Sequence, residues 1–450
     1  MGDFMRENKM GTMNVNRLVT TMALPMMASM LIQALYNIVD SVFVAKYSQD
    51  ALTAVSLCFP VQSLMIALAA GTGVGINSLL SRRLGEGRPD EANKAAVNGI
   101  FLGFMTSVVV AILGFITAEK FFAFFTDTAA TVEMGRQYMI ICTVFSLGVF
   151  MQIVAERLLQ ATGKTHLSMM SQMIGAVVNI ILDPIMIFGL LGCPRMGIAG
   201  AAAATVIGQW CAMIVAFVFN AKFNHEITIR LAGFRPDGRI IREIYRVGVP
   251  AIVMQSITSI MTVGMNKILA EDIAISIFGI YFKINSFIFM PVFGLSNALI
   301  PIFSYNYGAR KRERIFGAMR IGMIASVAMM AFGTVLIVAF PAFFLGLFNA
   351  NEAMYAMGIP AMRIFPLGFC FAGYCIIITS LLQSIEAAHV SMIISIARQL
   401  AVILPCAFVL KMLFGYPAVW ASIPIAEVAA ALMCMVFYAK ICKPRLDNLT

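Results

Sequence analysis

Apolar runs follow one another along almost the whole of this 450-residue chain, separated by short polar breaks. A helix needs roughly 20 apolar residues to cross about 30 Å of hydrocarbon. Twelve runs reach that length, at about 18–44, 51–80, 95–118, 136–160, 167–191, 197–221, 246–270, 274–304, 316–346, 357–384, 391–413 and 417–440. The apolar positions are continuous rather than alternating, which fits helices and not the strands of a β-barrel. The expected fold is an all-α polytopic membrane protein with about twelve transmembrane helices.

The pattern also repeats. Residues 158–169 read LLQATGKTHLSM and residues 381–392 read LLQSIEAAHVSM, 223 residues on. Pro25 in ALPMM and Pro250 in GVPAI each lie near the start of a long apolar run. GIAGAAAAT from position 197 is echoed by GYPAVWASI from position 415. Six spans return a chain to its starting side, so the two halves share one orientation and are related by an axis along the membrane normal. The expected organisation is an amino-terminal six-helix lobe at 1–221, a cytoplasmic linker at 222–245 and a carboxy-terminal six-helix lobe at 246–450.

Composition agrees: the chain is 60% hydrophobic and 12% charged, with a mean hydropathy of +0.89. A soluble domain of that make-up would expose very large apolar patches. The net charge of +10 could suggest a nucleic-acid partner, but its placement explains it otherwise. Basic residues crowd alternate loops: Arg6, Lys9 and Arg17; Arg82, Arg83, Arg88 and Lys94; Lys164; the stretch from Lys222 to Arg246; Arg310 to Arg320; and Lys440 to Arg445. The opposite loops hold only Lys46, Lys120, Arg136, Arg195 and Lys411. That asymmetry places both termini in the cytoplasm. The nine cysteines show no CxxC, so neither a disulfide framework nor a metal cluster is expected. A polar start followed by a long first run argues against a cleavable signal peptide.

Two motifs fall away on inspection. GKT at 163–165 resembles the end of a phosphate-binding loop, but the glycine required five residues before Gly163 is Leu158. No nucleotide partner is expected. Gly71, Gly73 and Gly75 do not complete GxGxxG and read as a surface for close helix packing.

The chemistry lies in acids placed inside apolar runs. Asp40 sits in LIQALYNIVDSVFVA and Asp183 in VVNIILDPIMIFG. A carboxylate in hydrocarbon is costly, so it faces a cavity or a partner and marks an ion or proton path. Tyr36 precedes Asp40 by four residues and Asn179 precedes Asp183 by four, so each pair shares a helix face. Phenol and amide can share a proton or complete a cation's oxygen shell. Pro184 removes a backbone donor beside Asp183 and frees a carbonyl. The repeat counterparts of the two acids fall at about Met265 and Cys406. Acids that merely glued helices would be expected in both halves. Their confinement to one half points to a dedicated coupling site there, for H⁺ or Na⁺. A proton needs one acceptor and Na⁺ several oxygens, which favours H⁺ slightly. Among other mid-span charges, Lys283, Arg398 and Glu427 are candidates for a substrate cavity, and Glu156 with Arg157 reads as a structural pair.

On these residues the chain resembles a multidrug and toxic compound extrusion (MATE) exporter of the bacterial branch related to staphylococcal multidrug pumps. The resemblance rests on ALPMMASMLIQALYNIVDSVFVA, SRRLGEG, LLQATGKTHLSM running into VVNIILDPIMIFG, and GVPAIVMQS, and it covers nearly the whole chain. It implies two six-helix lobes around a V-shaped cavity and H⁺ or Na⁺ antiport driving export of bulky, often cationic drugs. It also implies a monomer in the bacterial inner membrane that needs no cofactor and is no enzyme. Tyr36, Asp40, Asn179 and Asp183 match the family's amino-lobe cation site, with Na⁺ held by Asp40, Asp183 and Asn179 where Na⁺ is used. Thr205 completes the site by the same resemblance. Gln255 stands in the seventh span where some members carry an acid, and the tenth span has no mid-span acid, so a carboxy-lobe Na⁺ site is not implied. Two rivals remain. A lipid-linked oligosaccharide flippase of the same superfamily would need a charged groove, for which Lys283 and Arg398 are the candidates. An intramembrane enzyme would need a motif such as HExxH or GxSxG, and neither occurs.

Overall fold

The structure is a computed structural model that describes residues 8–125, 128–230, 233–348 and 350–449. Arg6 of the basic amino terminus lies outside the described residues. Every regular element among them is helical. In chain order these are α1 (Lys9–Thr12), α2 (Val15–Tyr47), α3 (Gln49–Gly85), α4 (Pro89–Phe125), α5 (Ala129–Val144), α6 (Leu147–Ala161), α7 (Thr165–Phe188), α8 (Ile198–Phe223) and α9 (Gly238–Leu269). They continue with α10 (Asp272–Gly308), α11 (Arg312–Ala339), α12 (Pro341–Gly346), α13 (Glu352–Ile364), a 3₁₀ turn (Phe365–Gly368), α14 (Phe369–Ser384) and α15 (Ala388–Ile396). A π-helical stretch (Ala397–Ile403) leads to α16 (Leu404–Phe414), α17 (Tyr416–Val419) and α18 (Ser422–Phe437). A second π-helical stretch (Tyr438–Cys442) and α19 (Lys443–Asp447) close the chain.

Eleven helical segments among the described residues are long and apolar enough to cross a membrane, and twelve if the bent pair α5–α6 is one span. The twelve expected runs map onto them one for one. The fourth is not straight, because α5 and α6 meet at 42°. The break exposes the Phe145 carbonyl, and the Trp210 indole of α8 donates to it at 3.2 Å. Gly148 lets that ring lie against α6, since a Cβ there would sit 2.8 Å from the indole nitrogen. A backbone carbonyl at membrane depth must be satisfied by the protein itself, and here the Gly148 amide, at 3.3 Å, and the Trp210 indole do so together. Helix α9 begins earlier than the apolar run, at Gly238, because the Asp237 carboxylate accepts from the amides of Arg239 and Ile240.

The chain divides into two compact units. The amino unit is Ala28–Ile252; the carboxyl unit joins the segment ending at Met27 to the segment starting at Val253. Both boundaries lie inside helices, α2 and α9, each two residues past the repeat-related prolines Pro25 and Pro250. A proline inside a helix removes one hydrogen bond of the ladder, so the backbone is weakest there.

Within the amino unit, residues of the polar stretch after α8 are tied to the bundle. Asn224 donates to the Leu158 carbonyl, and the Asn93 and Asn98 side chains accept from the amides of Thr228 and Asp237. Arg83 reaches Glu86, Glu91 and Glu243 at 2.8, 3.0 and 2.6 Å. The basic SRRLGEG motif thus pins α3 to the start of α9. The α3 glycines pack as expected: a Cβ on Gly71 would lie 2.7 Å from the Ile252 amide. The packing that matters most for function joins α7 to α8. A Cβ on Gly175 would meet the Gly208 carbonyl at 2.8 Å, and one on Gly208 would meet the Gly175 carbonyl at 2.7 Å. Small residues let two membrane helices approach backbone to backbone, and here they bring Asn179 directly against Gly208.

A side chain at position 208 therefore collides with backbone, which cannot yield as a flexible tip does. Gly208→Leu is expected to cost about 1–3 kcal/mol or more and to lower the melting midpoint of the purified protein. Gly279→Ala, at a helical glycine with nothing within 4 Å, serves as the control. Equal midpoints for the two variants would show that the α7–α8 approach is not tight.

Candidate functional site

Helix α7 carries Asn179 and Asp183 one turn apart on its face toward α8. Asp183 is fully buried, at 0% exposure. The Asn179 amide donates to Asp183 Oδ1 and to Thr205 Oγ1, each at 3.3 Å. Thr205 lies one turn before Gly208 on α8, so the glycine contact sets this bridge. Pro184 stands inside the helix next to Asp183. Its missing N–H leaves the carbonyl four residues earlier without a ladder partner.

Helix α2 contributes Tyr36 and Asp40. Tyr36 lies within electrostatic reach of Asp40, Asp183 and Glu156, and Asp183 within reach of Asp40. The amino unit thus assembles Tyr36, Asp40, Asn179, Asp183 and Thr205 from three helices. Three oxygens in this group are sealed from the surface and accept no hydrogen bond among the described residues: Asp40 Oδ1, Asp183 Oδ2 and Asn179 Oδ1. No basic side chain forms an ion pair with either aspartate among the described residues. Such a set of acceptors can do two things chemically. A carboxylate can take up a proton and become a donor, or the oxygens can converge on a hard cation.

Glu156 and Arg157 interact electrostatically, as a structural pair would, but their hydrogen bonds go elsewhere. The Gln152 amide donates to Glu156 at 3.0 Å, while the Arg157 guanidinium turns to Gln160 at 2.9 Å and lies over Gly73. Gln160 in turn donates to Ser168 at 2.9 Å, so Arg157 serves the α6–α7 junction. Adjacent residues on a helix point to different faces, which a reading from sequence neighbours overlooks.

Of the four substrate-cavity candidates in the carboxyl half, the structure brings together only two. Arg398 Nη1 donates to both carboxylate oxygens of Glu427, at 2.8 and 3.1 Å. Lys283 is exposed, with its ammonium 5.3 Å from the Phe348 ring centre. Gln255 is exposed and forms no hydrogen bond among the described residues. The sequence showed Arg398 and Glu427 as separate mid-span charges. The available signal was their opposite sign in consecutive spans, each too costly to stand alone in hydrocarbon.

A twelve-span helical bundle with an internal repeat, and with aspartates that have no basic partner among the described residues inside one half, is the architecture of a membrane transporter. A sequence model of the MatE family matches residues 25–185 and 249–409, once in each half. The chain belongs to the MatE family. It is 25% identical over 424 residues to the multidrug export protein MepA of Staphylococcus aureus (strain NCTC 8325 / PS 47), covering 92% of this chain and 91% of that protein. The MepA of Staphylococcus haemolyticus (strain JCSC1435) is 24% identical over 416 residues, with the same coverage. Among solved structures, a MATE protein in complex with MaD5 superposes with a TM-score of 0.90 at 25% identity, covering 99% of each chain. A MOP superfamily transporter from Pyrococcus furiosus gives a TM-score of 0.91 at 24% identity, again over 99% of each chain.

The Asn179 bridge makes a stability prediction. Asn179→Ala removes the one hydrogen bond that Asp183 receives among the described residues. Loss of a partner to a buried polar group costs about 1–3 kcal/mol. A lowered thermal midpoint in detergent is expected; a midpoint equal to that of the parent would mean that the bridge carries no stability.

Proposed function

We propose that this chain is a cation-coupled antiporter that exports bulky, cationic drugs or toxic metabolites by alternating access. It acts as a monomer in the bacterial inner membrane with both termini in the cytoplasm. The observation that carries this reading is the group of buried, donor-free oxygens on Asp40, Asp183 and Asn179. Two carboxylates in a poorly hydrated site without a basic partner are costly when both are charged. Binding H⁺ or Na⁺ removes that cost. A conformation that holds the ion well is favoured when the ion is present, so ion occupancy can bias one state of the transporter against another. Tyr36 and Thr205 supply hydroxyls at the same place, which serve either ion. The printed function of the MepA relatives, multidrug export, supports the substrate class. The flippase alternative is weakened by the Arg398–Glu427 pair, which leaves fewer uncompensated cations for a pyrophosphate head.

The coupling reading is tested in proteoliposomes, with dye transport measured under a Na⁺ gradient and a pH gradient applied separately. Asp40→Asn and Asp183→Asn keep the side-chain shape and lose the titratable charge. Each is expected to abolish gradient-driven transport while the folded protein remains in the membrane. Transport by the double variant at the parent rate under either gradient would sink the proposal.

Orientation has its own test. The native Cys193, which is exposed in the loop between α7 and α8, should react with an impermeant maleimide only from outside the cell. A single cysteine at Arg235 should react only from the cytoplasmic side. The reverse pattern would invert the topology.

A further inference from the structure

The carboxyl unit contains a partly buried charge pair that the proposed coupling chemistry does not use, and the backbone around it is irregular. Arg398 stands in the π-helical stretch Ala397–Ile403, between α15 and α16. Glu427, 8% exposed, faces it from α18. The tenth span is interrupted by the 3₁₀ turn Phe365–Gly368, whose Gly368 packs on Glu427: a Cβ there would lie 3.1 Å from its Cγ. Tyr281 of α10 stacks edge-on against Phe365, ring centres 4.3 Å apart, and is within electrostatic reach of both Arg398 and Glu427. Broken helices at membrane depth occur where the backbone is buried in protein or lines a cavity, and transporters build binding sites from them. Short π-helical insertions likewise cluster at functional sites.

The guanidinium is only partly used. Its remaining donors are not sealed inside the protein: neither Nε nor Nη2 is among the buried polar atoms that lack a partner. Glu427 occupies Nη1 of Arg398 and nothing else. Nε and Nη2 form no hydrogen bond among the described residues, and the side chain keeps 23% exposure. The Tyr281 hydroxyl also forms none among the described residues. The free Nε/Nη2 edge has the planar two-donor geometry that matches a carboxylate, and Tyr281, backed by the fully buried Phe365, stands within electrostatic reach of the pair.

We propose that Arg398, Glu427 and Tyr281 form a second ligand site, one that takes the carboxylate of a zwitterionic organic substrate on the Nε/Nη2 edge of Arg398. A second carboxylate on Arg398 would leave the site with an excess negative charge beside Glu427. A ligand that also carries a cation restores neutrality, so the site selects zwitterions over simple anions. This rests on the export reading only for the existence of a small-molecule substrate; it is independent of the coupling ion.

Two dyes that differ in one group provide the test: rhodamine 110, a zwitterion with a free carboxylate, and rhodamine 123, its cationic methyl ester. Binding to the full-length protein in nanodiscs is read at equilibrium by fluorescence anisotropy, with no ion gradient, so failure of the coupling reading leaves the result interpretable. Arg398→Ala is expected to weaken rhodamine 110 by about tenfold or more, the worth of one charge-assisted contact. Rhodamine 123 should change by less than about twofold, well under the step that one such contact gives. Arg398→Lys keeps the charge but loses the planar fork, and should also lose most of the preference. Because Arg398→Ala leaves Glu427 buried without a partner, the double variant Arg398→Leu/Glu427→Leu provides a folded control in which no unpaired charge remains. It should bind rhodamine 123 but no longer discriminate. The proposal fails if the parent protein does not bind rhodamine 110, if both dyes weaken equally, or if the folded double variant discriminates as the parent does.

Discussion

A polar group inside hydrocarbon has no water to turn to, and this constraint orders the molecule. It requires every span to be helical. It also explains how the departures from helix are tolerated. At the bend between α5 and α6 the Phe145 carbonyl accepts the Gly148 amide at 3.3 Å and the Trp210 indole. At the 3₁₀ turn in the tenth span the Pro366 carbonyl accepts the Phe369 amide and the Thr334 hydroxyl, the latter at 2.9 Å. Asn220 and Asn224 add side-chain donors to carbonyls of α6. At both breaks a local backbone donor is joined by a side chain from a neighbouring helix, so the irregular segments draw on packing as well as on local structure.

Against that background, oxygens that remain without donors stand out. Asp40, Asp183 and Asn179 hold three of them within one unit. Elsewhere in the unit the Arg157–Gln160–Ser168 chain closes the α6–α7 junction, and Arg83 gathers three glutamates at the helix ends. The three oxygens are set apart by belonging to one group that includes two carboxylates with no basic partner among the described residues. It also depends on the Gly175–Gly208 contact, because only a backbone-to-backbone approach brings the Asn179 amide to Thr205. The small-residue stripe of α8 and the acid of α7 are thus parts of one arrangement.

The spans were legible in the sequence because apolar length is a strong signal that needs no partner. Asp40 and Asp183 were legible for the complementary reason, that a charge in an apolar run is conspicuous. Tyr36 and Asn179 followed from helical spacing alone. Thr205 did not. A threonine in a helix is ordinary, and only family resemblance drew it in until Gly208 and Gly175 showed why it lies beside Asn179. The backbone breaks were hidden as well. A composition average runs straight through Ser146 and Ala397, and only the packing of Trp210 or the position of Glu427 reveals the interruption. Charge partners were legible only in part. Sequence adjacency pointed to the electrostatic coupling of Glu156 with Arg157 but not to their hydrogen bonds with Gln152 and Gln160. Sequence distance hid the partner of Arg398, 29 residues away on another helix.

The two halves descend through one repeated pattern, yet they answer the cost of buried charge differently. In the amino unit Asp40 and Asp183 form no ion pair with a basic side chain among the described residues, and the Asn179 amide supplies the hydrogen bond that Asp183 receives. In the carboxyl unit Glu427 has its own base in Arg398, 2.8 Å away. The second arrangement offsets a carboxylate's charge within the protein, and the first does not. The repeat counterparts of Asp40 and Asp183 fall at about Met265 and Cys406, so the contrast lies in side chains carried on a repeated pattern of helices.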